Sequence, residues 1–236
     1  MTKRILILLT SHDELGSTGK ATGFHWEEMT TPYWKLREAG YGIDFASPAG
    51  GPPPADPKTG AKEGRPASVQ RFMDDDGAMK ALTAARPVAE VNAGDYVGIY
   101  LPGGHGTMWD LAQTKAVGGL IAEAYEAGAV IGAICHGPAG LVGANLSSGE
   151  PLVRGKRVNS FTDEEERKVG LDKVVPYLLE SRLRSLGAKF EGNPEPFGAH
   201  VVRDGRLVTG QNPASAEKLA DTLIEALRDE ANKQAA

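Results

Sequence analysis

Cys135 and His136 stand side by side in the segment "AICHGPAGL" (133–141), and Cys135 is the only cysteine of the chain. A thiol beside an imidazole is a nucleophile with its proton acceptor, the pair that cysteine-dependent addition to a carbonyl requires. The apolar run before the pair and the glycine–proline turn after it read as a strand passing into a helix. A sharp bend there would expose the sulfur, as a nucleophile elbow does in hydrolases. A helix beginning near Gly137 would put its N-terminal dipole behind the sulfur and favour the thiolate, the reactive form of a thiol whose ordinary pKa is about 8.5. The alternative reading is a small buried hydrophobe that happens to carry sulfur.

Two further segments offer partners. "GGHG" (103–106) would turn the backbone N–H groups of Gly104 and its neighbours toward a developing oxyanion, or form a tight turn that simply needs glycine. "DEEE" (163–166) could supply the carboxylate that orients an imidazole, or be the solvated start of a helix. A polar segment at 11–28 ends in Glu27 and Glu28.

The elements that must position these groups are legible as alternating strands and helices. "RILILLT" (4–10) reads as a central parallel strand buried on both faces. "YGIDFAS" (41–47), "DYVGIYLPGG" (95–104) and "AVIGAI" (129–134) read as further strands, and "HVVRDGRLVTG" (200–210) as a hairpin around Asp204-Gly205. "TTPYWKLREAG" (30–40) reads as a helix with Thr31 as cap, Pro32 at its first position and Gly40 at its end. Further helices are predicted over 76–85, 116–128 and 213–233, with a proline-bent amphipathic one over 172–188. The proline-rich stretch 48–66 reads as a loop within the same alternation. The pattern predicts one α/β domain spanning 1–236, a flavodoxin-like parallel sheet sandwiched by helices. Ligands bind such sheets beyond the carboxyl ends of the strands. Three predicted strand ends lead to Glu27-Glu28, to "GGHG" and to Cys135-His136, and this convergence favours the catalytic reading of Cys135.

Composition excludes several classes. A formal net charge of −5 argues against a general nucleic-acid binder. No run of about 18 apolar residues predicts a membrane span, and the short apolar run near the start reads as a strand rather than a secretory signal. A single cysteine fits a reducing compartment, so the cytoplasm is expected. The five histidines, at 12, 25, 105, 136 and 200, show no close ligand spacing, so no metal is expected.

Taken together, "TGFHWEEMTTPYWKLREAGYGIDFASPAGG" (22–51), "YLPGGHG" (100–106), "AICHGPAGL" (133–141), "VNSFTDEEE" (158–166) and "VTGQNPASA" (208–216) resemble the DJ-one/PfpI superfamily, of the class I glutamine amidotransferase-like fold. The resemblance covers nearly the whole chain. The glutamate-bearing segment, "SFTDEEE" and "GQNPAS" narrow it to the branch of glutathione-independent glyoxalases (glyoxalase III) and heat-shock chaperones. It implies Cys135 as nucleophile, His136 as its acid–base partner, and Glu166 as the orienting carboxylate with Glu165 as nearest competitor. It also implies Glu28, rather than Glu27, as the glutamate beside the sulfur, and the amides of Gly104 and His136 as an oxyanion hole. His25 lies within the Glu28 segment and would contact substrate or cap the turn; His12 and His200 read as surface or structural.

The activity so implied is conversion of methylglyoxal or glyoxal to D-lactate or glycolate through a Cys135 hemithioacetal. It requires a small dicarbonyl substrate and no cofactor, and the family's habit of pairing implies a homodimer. Other functions of the same superfamily stay open beside it: a stress chaperone, a protein deglycase, a cysteine peptidase or hydratase in the same pocket, or a redox sensor at Cys135.

Overall fold

Residues Ile5 to Leu9 are almost wholly buried, and alternate ones face opposite cores: Leu6 and Leu8 join one cluster, Ile5, Ile7 and Leu9 the other. That is the burial of a central parallel strand, where period-two side chains meet helices on both sides. Each such Leu or Ile contributes roughly 1.5–3 kcal/mol of burial free energy.

The computed structural model describes residues 2–235. The chain runs through β1 (Arg4–Leu8), α1 (Trp26–Glu38), β2 (Gly42–Ser47), α2 (Ala67–Met73), α3 (Asp76–Thr83), β3 (Arg86–Pro87), β4 (Gly98–Leu101), α4 (Thr107–Asp110) and α5 (Lys115–Glu126). It continues through β5 (Val130–Ile134), α6 (Ala139–Val142), β6 (Arg157–Val158), α7 (Asp163–Lys168), α8 (Leu179–Ser185), β7 (Lys189–Phe190), β8 (Val201–Asp204), β9 (Leu207–Gly210) and α9 (Ala216–Ala235). The main sheet has the order β3-β2-β1-β4-β5-β9-β8, and a small parallel pair, β6-β7, lies apart from it.

The predicted parallel sheet is thus present with one exception. β8 pairs antiparallel with β9 through the hairpin around Gly205, while every other pairing of the main sheet is parallel. On one face lie Met29, Tyr33 and Leu36 of α1, Val69 and Phe72 of α2, Leu82 of α3, and Leu219, Leu223 and Leu227 of α9. On the other lie Val117, Leu120 and Ile121 of α5, Leu141 of α6 and Leu183 of α8. Among the described residues no helix is long and apolar enough to cross a membrane.

Two helix expectations need correction. The helix expected over 30–40 begins at Trp26, so Thr31 is no cap and Pro32 lies inside it. The helix expected over 172–188 is confined to Leu179–Ser185. Pro176, which clashes with a preceding helical turn, excludes a helix before it rather than bending one.

Candidate active site

The turn at Cys135 is as sharp as an elbow requires. Cys135 has φ 57°, a left-handed conformation that few residues other than glycine adopt. Its N–H donates to the Gly210 carbonyl (2.9 Å), and the Gly137 N–H closes back on the Ile134 carbonyl (2.7 Å). At Gly137 a Cβ would lie 2.1 Å from the Leu101 carbonyl oxygen, so only glycine lets the chain turn here against β4. The helix that follows is four residues long and begins at Ala139, two residues later than the expected start near Gly137.

The elbow brings the imidazole onto the sulfur. Cys135 Sγ and His136 Nδ1 are 3.2 Å apart, and His136 Nε2 is 2.7 Å from Glu166 Oε2. Burial alone would raise the Glu166 carboxyl, but His136 and His105 hold it well below the usual carboxylate range. An ionised carboxylate can only accept, so Nε2 of His136 carries its proton and Nδ1 presents a lone pair to the thiol. Burial, then the neighbouring His105, lowers the pKa of His136, against the pull of Glu166. The ring is therefore neutral at neutral pH, as a base must be.

Glu166 and Glu165 are adjacent yet do different things. Thr162 caps α7, and Glu165 reaches back to it in a reciprocal capping box. Glu165 Oε1 also accepts from Gln211 (3.0 Å), Asn212 (2.9 Å) and the Phe197 N–H (2.7 Å). It is a fully engaged structural group, which leaves Glu166 to the imidazole. The T-x-x-E spacing at 162–165 is a sequence signal that separates the two.

Glu28 is in the first turn of α1 and fully buried. Gly103 N–H donates to its Oε2 (2.8 Å), and its ionisable neighbour is the Cys135 thiol. Among the described residues no cation faces it, so burial pushes its pKa to about 8, and the carboxyl is neutral at pH 7. A Cβ at Gly103 would lie 2.6 Å from Glu28 Oε2 and 2.8 Å from Cys135 Cβ, so the glycine lets the acid and the sulfur share one space. Burial pushes the Cys135 thiol up, and the nearby Glu28 and Glu166 carboxyls add to this only where they are ionised. Against the expected helix-favoured thiolate stands the burial of the sulfur beside the ionised Glu166, which disfavours the anion, and the helix that would favour it is only four residues long.

Pro32 explains how Glu28 is held. It cannot donate to the carbonyl four residues earlier, which belongs to Glu28. The Tyr100 hydroxyl from β4 takes that carbonyl instead, at 2.6 Å, wholly inside the protein.

His105 was not singled out from the sequence. Its Nε2 lies 3.0 Å from Glu166 Oε1, so two imidazoles share one carboxylate. Ligand atoms of His105, His136 and Glu166 lie within 4.8 Å of one another, a set able to hold a metal that the spacing along the chain did not reveal. His25 stands before α1 without a side-chain cap bond, and its N–H donates to the Gly103 carbonyl (2.9 Å). Burial, then His105 and His136, lowers its pKa to about 4, and its buried Nδ1 has no partner among the described residues. It makes no turn-capping bond, and the same causes keep its ring neutral at pH 7. The Thr107 hydroxyl, shared between the Gly104 (2.9 Å) and His136 (3.0 Å) carbonyls, ties the glycine turn to the elbow. Among the described residues neither the Gly104 nor the His136 amide donates to a protein acceptor. His12 stacks on Trp109, and His200 offers its carbonyl to Asn159 and Gln211, both structural uses.

A cysteine at a strand-to-helix elbow, its histidine, and a glutamate from the segment after the first strand form the arrangement that the sequence resemblance implied. The pattern of the DJ-1/PfpI family matches residues 20–226. This chain belongs to that family. It is 34% identical to the glutathione-independent glyoxalase HSP31 of Saccharomyces cerevisiae, over 96% of this chain and 99% of the relative. The crystal structure of glyoxalase III from Candida albicans superposes with a TM-score of 0.88 at 30% identity, covering 95% of this chain and 97% of that one. That of the Francisella tularensis Rapid Encystment Protein 24 KDa gives 0.91 at 35% identity, covering 96% and 99%.

Proposed function

We propose that this protein is a glutathione-independent glyoxalase that converts a small 2-oxoaldehyde, methylglyoxal or glyoxal, to the 2-hydroxy acid. One observation carries the reading: a buried thiol stands 3.2 Å from His136 Nδ1, and the buried Glu28 carboxyl packs against the same glycine as the sulfur-bearing residue, with burial disfavouring charge on both partners. Addition of a thiol to an aldehyde needs both at once. Near-complete burial of Cys135, 4% exposed, favours a small substrate over a peptide or a glycated protein. The full-length relatives named as glyoxalases support the same choice.

As Sγ bonds to the aldehyde carbon, its proton passes to His136 Nδ1 and Glu28 protonates the new alkoxide, giving a hemithioacetal. Glu28, now a carboxylate of raised basicity, removes the hydrogen from that carbon, and His136 protonates the ketone oxygen to form an enediol. Glu28 returns its proton to the neighbouring carbon while the first oxygen releases its own to His136, leaving a thioester. Water attacks the thioester, giving its proton to Glu28, and the departing sulfur recovers its proton from His136. The two carbons exchange oxidation level internally, so no redox partner is consumed. Glu166 holds the His136 tautomer, the Gly104 and His136 amides receive the developing oxyanion, and the His25 Nδ1 faces the second carbonyl. A homodimer in solution is part of this reading, checked by light scattering.

The test is methylglyoxal without glutathione, following aldehyde loss and D-lactate together. Wild type should form D-lactate and Cys135→Ala none; aldehyde loss without D-lactate would overturn the proposal.

A further inference from the structure

Among the described residues, two other than glycine adopt a left-handed backbone: Cys135 (φ 57°) and Phe197 (φ 65°). The first presents the nucleophile. A bulky aromatic in this conformation is a rare outlier, and strain of this kind persists where surrounding bonds impose it and function uses it.

The bonds that impose it run to the candidate site. The Phe197 N–H donates to Glu165 Oε1 (2.7 Å), and Asn212, which donates to the same oxygen, also donates to the Gly198 carbonyl (2.9 Å). The Asn193 N–H donates to Gln211 Oε1 (2.8 Å). The loop before β8 is thereby clamped to the residues just beyond β9. Its one large apolar side chain is turned outward, with Phe197 44% exposed.

The ring is also aligned with the triad. His136 and Phe161 are tilted against each other at 4.6 Å between ring centroids, and Phe161 and Phe197 at 6.1 Å. His105 meets the same Phe161 ring edge-on at 6.2 Å. Exposure rises along the file, from 1% at His136 through 6% at Phe161 to 44% at Phe197. Nothing in the packing requires the outermost ring. Glycine would take the same φ without strain and keep the N–H bond to Glu165.

We propose that Phe197, with Phe161 behind it, forms an aromatic wall that receives the organic group on the ketone carbon of the substrate, favouring aryl and other bulky apolar groups. The inference rests on the glyoxalase reading and deepens it. Glu28 and Gly103 crowd the sulfur on one side. On this proposal the ketone substituent lies on the His136 side, where Phe161 is the first ring and Phe197 the next, so that a phenyl group reaches further along the series than a methyl or a hydrogen. Aromatic pairs at such centroid separations attract beyond the area they bury.

The experiment compares kcat/KM for phenylglyoxal, methylglyoxal and glyoxal in wild type, Phe197→Gly and Phe197→Leu. Glyoxal carries only hydrogen where the wall would act, so it reports the chemistry without the wall. Phe197→Gly should melt no lower than wild type and lose about tenfold on phenylglyoxal while holding glyoxal within about twofold. Phe197→Leu, apolar but not aromatic, should fall between. An unchanged phenylglyoxal-to-glyoxal ratio in Phe197→Gly, with glyoxal turnover intact, overturns the wall and leaves the glyoxalase reading standing. So does a uniform loss on all three substrates accompanied by dissociation of a dimer, which would make the ring an interface residue. If wild type turns over none of the three, the glyoxalase reading fails and the wall fails with it.

Discussion

The first turn of α1 and the first turn of α7 each place a buried glutamate at the same cysteine–histidine pair, and the two are driven to opposite charge states. Glu28, facing a thiol and a single backbone N–H, is pushed up to about 8. Glu166, facing two imidazoles, is held well below the usual carboxylate range. Both are almost wholly buried, so burial alone cannot account for the difference. What decides is whether a hydrogen-bond donor able to carry positive charge stands against the carboxyl. Separating two carboxyls in this way assigns one to proton transfer and the other to orientation.

The largest expected effect breaks that contrast directly. Glu28→Gln keeps the shape and the Gly103 bond but cannot exchange a proton, and kcat should fall roughly 10²–10⁴-fold. Glu166→Gln should also lose roughly 10²–10⁴-fold, by removing the anion that fixes the His136 tautomer. Alkylation of Cys135 by a small reagent separates the two, because it should slow more when His136 is misoriented than when Glu28 is amidated.

Stability against pH sharpens the same contrast, with opposite signs. The folded pKa of Glu28 is raised, so its contribution is complete below the ordinary carboxylate range and is lost as pH rises toward about 8. Relative to wild type, Glu28→Gln should therefore gain stability over that interval, by about 3–5 kcal/mol. Glu166 is lowered, so its contribution is present above the ordinary carboxylate range and lost as pH falls through it. Glu166→Gln should then be less stable than wild type at neutral pH and converge with it in acid. Urea midpoints across the pH range check both.

Smaller effects come from the supports of each turn. Tyr100→Phe orphans the buried Glu28 carbonyl and should cost about 1–3 kcal/mol. In a Pro32→Ala background, where a helical N–H returns to that carbonyl, the same change should cost less. Glu165→Gln should lower the melting temperature and spare turnover relative to Glu166→Gln, since Glu165 holds the Phe197 loop and not the imidazole.

The sequence made the chemistry of α7 and the elbow easier to read than that of α1. Cys135-His136 announces itself by adjacency, and the strand–helix alternation placed it at a carboxyl strand end. Glu166, like Glu28, was reached through resemblance, although the T-x-x-E spacing at 162–165 is a local rule that separates Glu165 from it without the fold. Glu28 depended on resemblance, because Pro32 reads as a helix start and hides a first turn begun at Trp26. What corrects that reading is Tyr100, whose hydroxyl comes from another strand and leaves no trace in local spacing. His105 was missed for the same reason: its partner Glu166 lies far along the chain, and "GGHG" drew attention to its glycines. The thiol's raised pKa was also beyond local reading, since it follows first from burial and then from carboxyls assembled only in the fold.

The most direct test is the infrared absorption of protonated carboxyl groups in wild type and Glu28→Gln, followed from acid to alkaline pH. The account predicts a buried-acid band in wild type at neutral pH, missing from the variant and disappearing near pH 8. A wild type without that band at neutral pH would mean that Glu28 is already ionised beside the sulfur, contradicting its role as the acid that completes the addition.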